Sequence, residues 1–381
     1  MSCPILKLTK RLVQCESISP NDAGCQDILV EDYFKPLDFI IEYLPFEDTQ
    51  NIWAFHQGKE KGPSLLFVGH TDIVPAGDLS QWNSHPFEAS IRNNIIYGRG
   101  VADMKGALAA MIIATERFIK NNPLHKGKLA FIITSDEEGK SENGTKKVIH
   151  TLIKRNERID YCLIGEPSST YKIGDTIKNG RRGSLTANIV IHGIQGHIAY
   201  PHLANNPIHS SILFLKELIY HEWDKGNAFF PSTTMQISNI HAGHGNSNII
   251  PGKLHLQINF RFGTQTNELI IRNKVKNILQ SHFNKEDYHI DWLFSGPPFL
   301  TLPGKLLEVV SQAIQHYQGI TPHIETTGGT SDGRFVVQTG SEIVELGLIN
   351  KTIHKVNECT KITDLQVLAK IYQFIISKIL M

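Results

Sequence analysis

Two textures of apolar and polar positions divide the chain. In the first, short unbroken apolar runs alternate with longer stretches whose apolar residues recur every three or four positions. Residues 64–75, SLLFVGHTDIVP, and 127–139, GKLAFIITSDEEG, read as buried strands, and KGALAAMIIATERFIKNN between them reads as a helix packed on a sheet. A third run, IDYCLIGEPS at 159–168, follows another helical stretch. Strand, helix, strand, helix, strand predicts a mainly parallel sheet flanked by helices, the arrangement in which ligands collect outside the carboxyl ends of the strands.

From about residue 180 the pattern changes to strict alternation. RRGSLTANIVIHG alternates with period two, the helical NPIHSSILFLKELIYHEW follows, then TTMQISNIHAG, KLHLQINFRFG, the helical TNELIIRNKVKNILQSHF and the strand YHIDWLFSG. This β-α-β-β-α-β order predicts an inserted ferredoxin-like α+β domain over 180–293. The helical GKLLEVVSQAIQHYQ, the strand EIVELGLI and the helical LQVLAKIYQFIISKI then return to the first texture. The α/β domain is therefore expected in two parts, 1–179 and 294–381. No internal repeat or low-complexity linker interrupts the pattern.

Composition changes the picture little. Lys and Arg (38) balance Asp and Glu (37), so no global field favours nucleic acid or an anionic membrane. Five scattered cysteines without a C-x-x-C pair argue against a disulfide framework or thiolate zinc, and fit a reducing compartment. The start, MSCPILKLTKRLVQCESISP, is broken by Lys7, Lys10 and Arg11 and reads as an amphipathic helix. No stretch approaches the roughly 18 apolar residues of a membrane span. A cytoplasmic location is expected.

The candidate chemistry lies where the strands stop. His70 and Asp72 follow the first run as GHTD, Asp103 stands at the mouth of a helix in GRGVADMKG, and Asp136, Glu137 and Glu138 end the second run. Glu166 follows the third in IGEP, and His354 lies far along in NKTIHKVNE. Singly, a histidine after a strand is more often a core residue, Asp103 an N-cap, and the acidic triplet a solvated face. Their recurrence at equivalent strand ends favours metal. Imidazole and carboxylate without thiolate suit a catalytic Zn²⁺ or related ion. Two histidines with Asp103, Glu166 and one glutamate of the triplet exceed the about three protein ligands usual for one catalytic zinc. A two-metal site about 3.5–4 Å across with a bridging carboxylate uses all of them.

GHTDIVP, GRGVADMKG, SDEEG, GEPS, GIQGHIAYPH, GGTSDGRF and TIHKVNE span almost the whole chain in order. They resemble the zinc aminoacylase and carboxypeptidase superfamily, and the last two resemble its succinyl-diaminopimelate desuccinylase family. The resemblance implies a zinc-exopeptidase-like catalytic domain with an inserted lid and dimerisation domain. It implies two Zn²⁺ per subunit, with Co²⁺ admitted in one site. Asp103 would bridge, His70 and Glu166 would complete one ion, and Glu138 and His354 the other. Asp72 would orient His70 from behind, and Glu137 would be the general base of amide hydrolysis. His197 of a partner subunit would assist at the oxyanion. Arg181, Arg261 and Arg334, with Tyr200, Asn248, Thr330 and Ser331, would hold the carboxylates of N-succinyl-LL-2,6-diaminopimelate. Lys178 and Arg182 compete with Arg181 for that role. The chain departs from the pattern at Ser247, where a second adjacent asparagine is expected, and at Thr327, where a third glycine often stands. Those departures bear on substrate affinity. Acetylornithine deacetylase or a broader N-acyl-amino-acid hydrolase is the alternative within the superfamily, and a catalytically silent dimeric binding protein the alternative outside it.

Overall fold

The computed structural model describes residues 3–381. Two compact units emerge. The first comprises the chain up to Gly180, Leu300–Glu325 and Ser331–Met381; the second comprises Arg181–Phe299 and Thr326–Thr330. The inserted segment thus runs a few residues past the expected end at 293, and Thr326–Thr330 joins it. The boundary after Thr330 falls inside GGTSDGRF, where no composition shift marks it.

The first unit is built on an eight-stranded sheet in the order Ile40–Tyr43, Asn51–Gln57, Lys126–Thr134, Glu60–His70, Tyr161–Ile164, Glu342–Glu345, Thr176–Lys178, His323–Glu325. Its centre is parallel: Glu60–His70 lies between Lys126–Thr134 and Tyr161–Ile164, and Tyr161–Ile164 pairs with Glu342–Glu345. Asn51–Gln57 and Ile40–Tyr43 add antiparallel at one side. The central runs carry no alternation because both faces are covered; Leu65, Leu66, Phe67, Val68 and Leu129 to Ile133 are all buried. Helix Gly106–Asn121 is apolar nearly all round because it packs on helix Ile362–Leu380 as well as towards the sheet.

The second unit is a four-stranded antiparallel sheet in the order Thr234–Ala242, Lys253–Phe262, Gly183–His192, Tyr288–Gly296, with helices Pro207–Tyr220 and Glu268–His282. Period-two alternation here marks a sheet with one covered face. Leu254, Leu256, Ile258, Phe260 and Phe262 are buried with Phe214, Leu218, Ile271 and Val275, while Lys253, His255 and Gln257 face solvent.

Candidate metal centre and active site

Because the central strands are parallel, their carboxyl ends share one edge of the sheet. His70 is the last residue of its strand, Glu137 and Glu138 follow Thr134 by a short turn, and Glu166 lies two residues beyond Ile164. Glycine precedes two of them for a steric reason. A Cβ on Gly69 would stand 2.9 Å from the Met104 methyl, and one on Gly165 only 2.4 Å from it. Met104 fills that space directly after Asp103, which has extended angles (φ −117°, ψ 95°) inside the turn that opens helix Gly106–Asn121.

Asp103 lies between two imidazoles that come from opposite parts of the chain. Its Oδ2 is 3.1 Å from His354 Nε2 and its Oδ1 is 3.8 Å from His70 Nε2. His354 Nε2 also lies 2.9 Å from Glu138 Oε1, and His70 Nε2 lies 3.6 Å from Glu166 Oε1. All five residues expected to hold metal are thereby brought together. His354 has a positive φ of 58°, unusual for a residue with a Cβ, and it turns the ring onto the cluster.

Asp72 is fully buried and does two jobs. Its backbone carbonyl accepts from His70 Nδ1 at 2.9 Å, and its carboxylate lies 3.5 Å from the same nitrogen. In the neutral ring that fixes the Nδ1–H tautomer and leaves the lone pair on Nε2. The nearer contact is thus the carbonyl. The carboxylate itself accepts the backbone N–H groups of Glu137 and Glu138 at 3.0–3.2 Å. The third acid of the triplet, Asp136, accepts N–H groups of Ser141, Glu142 and Asn143 and closes the turn.

The electrostatics follow from burial and from these neighbours. Hydrogen bonds to Asp103 and Glu138 raise the His354 pKa to about 10. Burial opposes ionisation of Asp103, but the imidazoles of His354, at hydrogen-bond distance, and of His70, further off, prevail and hold it at about 2. Burial would push His70 down; Asp103 and Asp72 outweigh it and place its pKa well above the usual histidine range. Glu137 is pushed well above the carboxylate range, first by burial and then by the charge of Glu166. Asp332 is raised to about 6 by burial.

The donor set fits divalent metal. His70 Nε2 and Asp103 Oδ1 are buried polar atoms with no hydrogen-bond partner, both directed at the same cluster. Orphaned lone pairs in such a place are costly unless a cation meets them. Two donor groups, His70 with Glu137 and Glu166, and His70 with Asp103 and Glu138, each converge within 4.8 Å. Glu137, expected as base, thus stands within ligand range.

The second unit gathers another set. His197 and Ile249 pair in a short two-stranded ladder, Ile198 N–H donates to the Asn248 carbonyl at 3.1 Å, and the Tyr200 ring lies 5.6 Å from the His197 ring. His197 Nδ1 accepts the Ala199 N–H at 3.0 Å. The neutral ring therefore carries its proton on Nε2, which leaves an exposed N–H donor. Arg181 is buried, and its Nη1 donates to the carbonyls of Thr327 and Gly329 at 3.3 and 3.4 Å. Thr327 thus contributes its carbonyl, which a glycine would supply equally well. Arg261 Nε donates to Asn259 Oδ1 at 3.0 Å. Of the two competitors of Arg181, Lys178 pairs with Glu325 at 2.9 Å, and Arg182 Nη1 lies 3.4 Å from Thr234 Oγ1.

In the first unit Arg334 is 7% exposed, lies over the Phe335 ring and has no partner at Nε. Thr330, which belongs to the second unit, is partly exposed. Ser331 is fully buried and its hydroxyl donates to the buried Glu345. One residue was missed altogether: Glu358, whose carboxylate accepts three backbone N–H groups of the Asp103 turn. Its only sequence signal was its place four residues after His354 in TIHKVNE.

Imidazoles and carboxylates at the carboxyl edge of a parallel sheet, in a chain that also carries a ferredoxin-like domain, define the class as metal-dependent hydrolase. The chain belongs to peptidase family M20/M25/M40, whose model it matches over residues 66–378. Solved structures share the fold at low identity. An M20 family metallo-carboxypeptidase from Sulfolobus solfataricus superposes with a TM-score of 0.85 at 18% identity, covering 99% of both chains. A tripeptidase from Staphylococcus aureus gives 0.79 at 20% identity, covering 98% of this chain and 97% of its own. A dinuclear metal-binding M20 peptidase from Bacillus subtilis gives 0.72 at 17% identity, covering 97% and 96%.

Proposed function

We propose that this chain is a two-metal amidohydrolase that cleaves N-succinyl-LL-2,6-diaminopimelate to succinate and LL-2,6-diaminopimelate. The observation that carries the two-metal reading is Asp103, whose two oxygens face His70 Nε2 and His354 Nε2 separately. His70 and Glu166 would hold one ion, Glu138 and His354 the other, and Asp103 both. The Bacillus subtilis relative, described as dinuclear, supports the count. Zn²⁺ suits the donors, with Co²⁺ an alternative in one position. Bound there, the ions supply Lewis-acid polarisation of the amide carbonyl and acidify the attacking water.

The remaining steps fall to side chains. Glu137, held in place through its backbone by Asp72, takes the proton of the attacking water and returns it to the leaving nitrogen. The Nε2–H of His197 from a partner subunit donates to the oxyanion. Arg334, buried with its Nε unmatched, grips a substrate carboxylate in two-point fashion. The succinyl choice rests on GGTSDGRF and TIHKVNE, and it is tested with purified metal-loaded protein. Turnover of the succinyl substrate should exceed that of acetylornithine; equal or faster acetyl turnover would overturn it. Arg334→Lys keeps the charge but loses the fork and is expected to raise KM about tenfold or more, an effect of the size of one charge-assisted hydrogen bond.

A homodimer through the inserted domain is part of the proposal. Strand Thr234–Ala242 stands at the sheet edge, and Ile208, Ile212 and Ile219 form an exposed stripe on helix Pro207–Tyr220, 42–56% exposed. Ile212→Asp should therefore yield monomers in sedimentation. Mixing inactive His197→Ala with inactive Glu137→Gln subunits should restore activity through dimers that pair one intact half-site of each kind. Absence of restoration after verified exchange would show that His197 does not act across subunits.

A further inference from the structure

We infer that Glu358 is a positioning residue that sets the affinity of one of the two ions, by tying the turn that carries His354 to the turn that carries Asp103. This rests on the two-metal reading above. The carboxylate is fully buried, and both oxygens are used twice. Oε2 accepts Arg99 Nη1 and the Gly100 N–H at 2.9 Å each; Oε1 accepts the N–H of Ala102 at 2.9 Å and of Asp103 at 3.0 Å. The backbone on either side joins in, since the Gly98 N–H donates to the Glu358 carbonyl at 2.9 Å and Arg99 Nη1 to the Lys355 carbonyl at 3.1 Å.

The turn from Gly98 to Asp103 is thus wrapped around a single carboxylate, and the last donor in it is the peptide N–H of the ligand itself. Gly100 takes a φ of +79°, and a Cβ there would stand 2.4 Å from Ile73, so the wrap leaves no room for a side chain at that point. The other end of the tether is equally short. Glu358 closes the turn that begins at Thr352, whose hydroxyl accepts the Cys359 N–H at 3.1 Å and donates to the Cys359 carbonyl at 3.0 Å. Asp103 Oδ2 and His354 Nε2 therefore meet because their two backbones share Glu358 as an anchor. His70 and Glu166 sit on strand ends that Glu358 does not touch. Asp103 reaches both ions, but only the Glu138–His354 position depends on Glu358 from two sides.

The test is a stepwise titration of the metal-free full chain with Zn²⁺ and with Co²⁺ against a chelating indicator, together with the Co²⁺ absorption spectrum. Glu358→Gln should weaken one equivalent by about 10–100-fold, the range for groups that orient metal ligands, and leave the other within about threefold. Should that variant fail to fold, Glu358→Asp carries the test. It keeps the charge but is one methylene short of the turn, and it should weaken the same equivalent less severely. Equal weakening of both equivalents would mark Glu358 as a general structural residue and overturn the inference, as would wild-type affinities in a folded variant. Fewer than two equivalents in the wild type would instead overturn the two-metal reading itself.

Discussion

Glu137→Gln is expected to lower kcat by about 10²–10⁴-fold, the usual contribution of a positioned acid–base group, with both ions still bound. The amide has the shape of the carboxyl but cannot take a proton. The backbone N–H of residue 137 would still donate to Asp72, so the turn keeps its form. Metal content and kcat have to be measured on the same sample. The Glu137 carboxylate lies within ligand range of His70 and Glu166. If the variant loses an equivalent of metal in step with its activity, Glu137 is a ligand and the base lies elsewhere. In the metal-free chain Glu137 is protonated more readily than an ordinary glutamate, because burial and Glu166 both disfavour its charge. With dications held beside it, that balance would reverse and Glu137 would be a carboxylate.

Asp103→Ala should do more, because it strikes both positions at once. It leaves His70 Nε2 and His354 Nε2 without the anion between them, and the loss in affinity should exceed the about 10–100-fold typical of groups that merely orient ligands. Activity should fall with it and should not return at any practical metal concentration. His354→Ala makes the contrast, since it removes a ligand from one position only. One tight equivalent should survive in that variant. Two equivalents of unchanged affinity after Asp103→Ala would dismantle the bridging role.

Much of the fold was legible because each signal was local. Unbroken apolar runs such as LLFVG mark strands covered on two faces, and strict alternation in KLHLQINFRF marks a sheet covered on one. The flanking strands Ile40–Tyr43, Asn51–Gln57, Thr176–Lys178 and His323–Glu325 were not anticipated. They are short or only partly covered, and their place in the sheet comes from pairing with the centre. Serine in GGTSDGRF donates its hydroxyl to Glu345, a partner 14 residues further on that no spacing rule indicates.

The sequence by itself determined which donors stand at the strand ends, and so the kind of ion they suit, because a strand's end and its next side chain are set within a few residues. Only the tertiary structure decided that His354 meets Glu138, 216 residues away, and that Glu358 holds the Asp103 turn, 255 residues away. A carboxylate that accepts distant backbone N–H groups leaves no periodicity and no composition behind. Its partners are chosen by where folding brings the two turns together, and burial then makes that choice costly to undo.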